Sequence, residues 1–235
     1  MWNDARVVLA KDLAVEWRSH VALRQVLPFV FTVVLLFAFG LDRVLVNDPL
    51  VSGDTVPVAY VAPGVFWLAV LFSAVMLVQR SISSELDDGA WDQLRLWGLD
   101  PAGVFVGKAA AVALQLLAIE VLLGGVVCVA FGVSVPSSPG AWLLIVTVMV
   151  LATIALSAVA SCYAALSAGI RVRETLLPVL LLPITVPLLL ASVQAWQGAL
   201  TAETAAGWAW VRVDAVFAVV YVAVGVLAYG ALMEE

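Results

Sequence analysis

Residues 104–131 read VFVGKAAAVALQLLAIEVLLGGVVCVAF, an apolar run broken only by Lys108, Gln115 and Glu120. A helix rises about 1.5 Å per residue, so this run is long enough to cross the roughly 30 Å hydrocarbon core of a bilayer. The rest of the chain has the same character. Of its 235 residues, 64% are hydrophobic and 12% charged, and the mean hydropathy is +1.11. No water-soluble domain of this size has that balance, so the composition specifies a polytopic helical membrane protein. A net charge of −6, with no basic stripe, excludes a nucleic-acid-binding reading.

Working outward from this run gives six spans, at about 26–46, 58–79, 103–132, 141–168, 175–196 and 213–233. Asp42 and Arg43 sit near the far end of the first, within reach of the headgroups. Ahead of it, residues 1–25 set Val7, Val8, Val15 and Ala22 among Arg6, Lys11, Arg18 and Arg24. That pattern predicts a helix lying in the membrane interface. As a signal peptide the segment is poor, because it carries Asp4, Asp12 and Glu16, although Ala38-Phe39-Gly40 resembles a cleavage site. The whole of 1–235 is expected to form a single transmembrane permease domain.

Lysine and arginine set the orientation. Arg6, Lys11, Arg18, Arg24, Arg80, Arg95, Lys108, Arg171 and Arg173 share one side of the six-span arrangement, and only Arg43 and Arg212 fall on the other. Nine of the eleven cationic residues therefore put both termini in the cytoplasm of a cell whose inner membrane holds the chain. Three connections face outward: 47–57, 133–140 and 197–212, with Trp142, Trp196, Trp208 and Trp210 beside them as an aromatic belt.

The longest polar interruption is Arg80–Pro101, RSISSELDDGAWDQLRLWGLDP. Ile82, Leu86, Ala90, Leu94 and Trp97 recur at helical spacing against a face that holds Glu85, Asp87, Asp88 and Asp92. A short amphipathic helix along the cytoplasmic surface follows, bent at Gly89 and stopped at Asp100-Pro101. It is either a solvated linker or a docking surface for a soluble partner.

Few residues are equipped for chemistry. Cys128 and Cys162 fall in neighbouring antiparallel spans near opposite membrane faces, too far apart for a disulfide, and read as inert thiols. His20 is the one histidine, with no second ligand in view, so metal or covalent haem binding is not expected. The Gly107-Lys108 pair has Ala102 and Ala109 where a phosphate-binding loop needs Gly and Ser or Thr. No nucleophile has a base beside it, so the chain is not read as an enzyme. Glu120 lies near the middle of the third span, as a gate or substrate contact or as a structural hydrogen-bonding group for Thr153 or Ser157 in the next helix. Pro178, Pro183 and Pro187, with Thr185 between the last two, remove backbone donors from the fifth span. They mark either a broken helix that lines a site or moves, or a kink tolerated for packing.

Three stretches together resemble one family. They are Val61-Ala62-Pro63-Gly64-Val65-Phe66-Trp67, then Glu85 to Leu94 with Asp88-Gly89 and Gln93-Leu94, then Leu181 to Leu189 with Pro183 and Pro187 four apart. The resemblance is to the haem exporter protein B family, CcmB, the permease-type subunit of the cytochrome c maturation ATP-binding-cassette complex, over about residues 5–232. It implies an all-α, six-span permease of the ABC-2 exporter type with a cytoplasmic coupling helix between spans two and three. It implies a separate ATPase subunit (CcmA-like), a haem-handling membrane protein (CcmC-like), a small one-span subunit (CcmD-like) and a haem chaperone (CcmE-like), with two copies of this chain per complex. On that resemblance Glu85, Asp87, Asp88, Gly89, Asp92 and Gln93 meet the ATPase. Haem is then a ligand handled by the complex rather than a cofactor of this chain, and ATP is used by the partner. Export of a lipid, glycan or drug, or a scaffold that transports nothing, are the alternatives.

Overall fold

A computed structural model describes residues 1–20, 22–47, 60–87, 98–133, 136–167, 173–201 and 203–234. Among them are seven α-helices and no strand. They are α1 (Trp2–Ser19), α2 (Leu27–Asn47), α3 (Ala62–Asp87), α4 (Pro101–Phe131), α5 (Pro139–Ser167), α6 (Arg173–Leu200) and α7 (Thr204–Glu234), with a π-helical turn, Ala22–Val26, leading into α2. From α2 onward, each helix carries an apolar window long enough to cross a bilayer. The fold is an all-α, six-span membrane permease architecture.

Burial shows which helices are central. In α3, Phe66, Trp67, Val70, Leu71 and Ala74 are fully enclosed, and α5 is covered in the same way along Leu144, Val148, Ala152, Ala155 and Leu156. By contrast, α2 buries one stripe at four-residue spacing, Val30, Val34 and Ala38, and exposes Phe29, Phe31, Leu36 and Phe39. α7 exposes Val216, Val219, Val220, Val224 and Leu227. In water such surfaces would aggregate; in a bilayer they are the lipid-facing side, and the helical backbone satisfies its own polar groups there.

α1 lies across the first turns of α4, and glycine makes that approach possible. A Cβ on Gly103 would stand 2.7 Å from the Met1 carbonyl oxygen, and one on Gly107 would stand 2.6 Å from that of Ala5 and 2.8 Å from Val8 Cβ. Ala5 and Val8 are buried in return. Small residues four apart let two helix backbones meet closely, as here. Asp12 lies 3.9 Å from the Lys108 ammonium and 3.0 Å from that of Lys11. The Asp4 carboxylate also accepts the Asp100 backbone N–H at 3.3 Å.

Several expected boundaries move. The apolar part of the second span, Ala62–Ser81, ends close to the expected residue 79, and the helix itself, α3, runs on through Asp87. Asp100 and Pro101 begin α4, while the segment they were expected to close, 88–97, lies outside the described residues. Asp100 is the N-cap, its carboxylate accepting the Gly103 N–H at 3.1 Å, and Pro101 fits the first turn, where no N–H is needed. The largest change is in the last span. The expected connection 197–212 shrinks to residues 201–203, and α7 starts at Thr204. Gly198 and Gly207 permit this, since a Cβ on Gly198 would stand 2.8 Å from the Gly207 nitrogen. Trp208, Trp210 and Arg212 therefore belong to the helix.

Candidate functional site

Two buried carboxyl groups organise the interior. Glu120, on α4, is fully buried. Thr153, on α5 and equally buried, donates its hydroxyl to Glu120 Oε1 at 2.6 Å. Ser157, the other expected partner, donates instead to the Ile154 carbonyl in its own helix. Glu120 Oε2 has no hydrogen-bond partner among the described residues. A buried polar atom left unsatisfied costs about 1–3 kcal/mol, and more if charged.

Glu120 also lines a cavity of about 650 Å³. Its walls come from the second half of α4, the first half of α5, the start of α3 and the end of α6, so it lies in the half of the bundle away from α1. Gly124 and Gly125 form part of one wall, with Val146 and Met149 opposite on α5 and Trp196 on α6. Trp196 packs edge-on against Phe66 at 4.2 Å between ring centroids, and Phe66 against Trp67 at 5.3 Å, so a rigid aromatic cluster stands behind that wall.

The second carboxyl group was not anticipated from the sequence. Asp214, on α7, is fully buried, with both oxygens 3.3 Å from the Ser192 hydroxyl on α6. Two turns away the contact repeats, seven residues on along α7 and eight residues back along α6, where Tyr221 of α7 donates to the Ile184 carbonyl of α6 at 2.7 Å. A span starting at residue 213 would leave Asp214 in the headgroups. The start at Thr204 carries it roughly 15 Å along the helix.

Of the other expected site residues, Pro183, Thr185 and Pro187 all lie in α6, which runs through them without interruption. Thr185 is buried and donates to the Leu181 and Leu182 carbonyls at 3.0 and 3.1 Å. Together with Tyr221 it occupies carbonyls in the stretch where two prolines lack an N–H. Thr185 thus serves the α6 backbone, while Glu120 serves the α4–α5 contact. Pro178 is also helical, its side chain outside the described residues. Glu85 and Asp87 are on the last turns of α3, with side chains outside the described residues, and Asp88, Gly89, Asp92 and Gln93 lie outside them altogether. Cys128 and Cys162 are free thiols. His20 caps α1 in the left-handed conformation, its N–H bonded to the Glu16 carbonyl at 2.8 Å, and is exposed. Among the described residues no three His, Cys, Asp or Glu side chains are grouped to hold a metal ion.

A six-span bundle with an N-terminal helix packed on the start of α4, buried acids and a lateral apolar cavity defines the class: a polytopic permease-type membrane protein. Residues 4–235 match the CcmB protein family, and the chain belongs to it. Among curated relatives it is similar to Heme exporter protein B of Paracoccus denitrificans, 28% identical over 81% of each chain. It is also similar to Heme exporter protein B of Rhodobacter capsulatus, 28% identical over 79% of this chain and 78% of the other. To the Haemophilus influenzae protein of that name it is 26% identical, over 78% of this chain and 76% of the other.

Proposed function

We propose that this chain is the membrane subunit of an ATP-binding-cassette complex for c-type cytochrome biogenesis. The observation that carries the reading is the family match over residues 4–235, supported by relatives named as haem exporter subunits. In this reading 1–235 is one transmembrane permease domain in the cell membrane. The α1 end of the bundle faces the cytoplasm, as the distribution of Lys and Arg supports.

ATP is hydrolysed by a separate subunit. Its cycle reaches the spans through the segment joining α3 to α4, with Glu85, Asp87, Asp88, Gly89, Asp92 and Gln93 at the contact. Both helices flanking that segment are long and rigid, and Asp4 of α1 ties down its exit at Asp100. Movement imposed there is passed directly to α3 and α4, and α4 carries Glu120. The complex includes two copies of this chain, a haem-handling membrane protein and a small one-span subunit, and its output is release of the haem-loaded haem chaperone. Glu120, Pro183, Thr185 and Pro187 take part in the cycle within the membrane.

The test is genetic. Deleting the gene from its native cell should abolish covalent haem staining of c-type cytochromes while b-type cytochromes persist, and a plasmid copy should restore it. Normal c-type cytochromes in the deletion strain would refute the proposal.

A further inference from the structure

α1 sorts its charges by side. Asp4, Val8, Asp12 and Glu16 recur every fourth residue and so form one strip along the helix. Val8 is buried against α4. Asp4 accepts the Asp100 N–H, Asp12 lies beside the Lys108 and Lys11 ammonium groups, and Glu16 is half-buried. The three acids of α1 are thus turned toward the bundle. Trp2, Arg6 and Trp17 share the other side, since about eleven residues make three turns, and Val7 and Arg18 flank them. All five are exposed, Trp2 to 72% and Trp17 to 80%. Arg24, in the π-helical turn, is exposed too. No ion pair among the described residues engages Arg6, Arg18 or Arg24. The chain as a whole is acidic, at −6, yet this face carries arginine and no acid.

We propose that the outward face of α1 binds the headgroups of anionic phospholipids. Its depth is set by its neighbours. Asp12 lies 3.9 Å from Lys108, and Lys108 lines one small cleft with Ser81 of α3 and Ser161 of α5. Ser81 closes the apolar part of α3, so α1 sits where the spans leave the hydrocarbon. The face turned away from α4 is then turned toward the surrounding lipid. An interfacial position alone makes no choice among lipids; arginines with no acid beside them do. A guanidinium fork bonds phosphate oxygens in pairs, and the exposed indoles of Trp2 and Trp17 suit the headgroup layer. Near an anionic surface each arginine favours binding by about fivefold. An acidic protein surface would also satisfy the arginines, but two bare tryptophans among them at membrane depth favour the lipid. The inference needs no ATPase and stands apart from the assignment to cytochrome biogenesis.

The test uses the full chain in mixed nanodiscs of phosphatidylcholine and phosphatidylglycerol. Two tracers, one of each headgroup, carry the same diazirine-bearing acyl chain at equal mole fraction, and mass spectrometry locates the photo-cross-links. Residues 216–227 of α7, exposed along their valines and free of charged side chains, serve as the internal reference. Labelling of residues 2–24 relative to that reference is expected to be about fivefold or more greater with phosphatidylglycerol than with phosphatidylcholine. Arg6→Gln combined with Arg18→Gln should bring the preference down to about twofold or less. Both side chains are exposed, so the variant should fold, and unchanged labelling of 216–227 verifies that it has. Equal labelling of 2–24 by the two lipids in the native sequence would overturn the proposal. So would a preference that survives in the double variant. Labelling of 216–227 with none in 2–24 from either lipid would show that protein or water covers this face, and would overturn it as well.

Discussion

Thr153 donates its hydroxyl to Glu120 at 2.6 Å across the contact between α4 and α5, and both side chains are fully buried. In hydrocarbon the carboxyl group has no water to fall back on, so Thr153 is its hydrogen-bonding support within the chain. Thr153→Val keeps the shape and removes the donor. It should lower stability by about 1 kcal/mol, near the upper part of the range measured for such bonds in membrane helices. Thr153→Ser should stay within a few tenths. Unfolding in mixed micelles of dodecyl maltoside and SDS measures both, and a Val variant as stable as the native chain would remove the bond from the account.

Between α6 and α7, Ser192 meets Asp214 and Ile184 meets Tyr221, eight residues apart on α6 and seven on α7. This register is that of two antiparallel helices packed as a continuous seam. Ser192→Ala and Asp214→Leu each remove the hydrogen bond between the two side chains, at a cost of about 0.5–1.5 kcal/mol, with the double variant losing less than the sum because both remove one interaction. Simple additivity in the same unfolding assay would mean that the two groups act independently.

The glycines of α4 divide into two kinds. Gly107→Leu would drive a side chain into the Ala5 carbonyl, whereas Gly125→Leu enters open space. Hydrogen–deuterium exchange of residues 2–19 should rise by about tenfold or more in the first and stay at the native level in the second. Equal protection of α1 in both would contradict its seating on Gly103 and Gly107.

Orientation has its own check. A green fluorescent protein fused after Glu235 should fluoresce, and alkaline phosphatase fused there should be inactive, because both termini are assigned to the cytoplasm. The reverse pattern would invert the arrangement.

The class of fold was legible because apolar run length is a local property and a bilayer demands it. Glu120 and its partner Thr153 were legible for a related reason: a single acid in a long apolar run is conspicuous, and a hairpin of two antiparallel spans sets residues of equal depth opposite each other. Asp214 was not. Trp208, Arg212 and Asp214 lie close together in sequence and resemble a membrane edge, and only the tight Gly198–Gly207 crossing shows that the helix has already begun. The docking of α1 was hidden as well. Gly107-Lys108 was weighed as a failed phosphate loop, and a spacing of four small residues says nothing about which helix will lie on it. The prolines of α6 suggested an interruption, but Thr185 and Tyr221 occupy nearby carbonyls and the helix continues.

The central claim is that a separate ATPase drives this chain through the segment between α3 and α4. The most direct measurement is recovery of the ATPase on affinity-tagged chain purified in mild detergent, compared between the native sequence and the double variant Glu85→Lys, Asp88→Lys. Reversing two acids sets like charges across the contact, while added cytoplasmic lysine favours the same membrane orientation. The account predicts that ATPase recovery falls about tenfold or more with an unchanged amount of membrane-inserted chain, and that cytochrome c maturation falls with it. Full ATPase recovery and normal maturation in the double variant would contradict it.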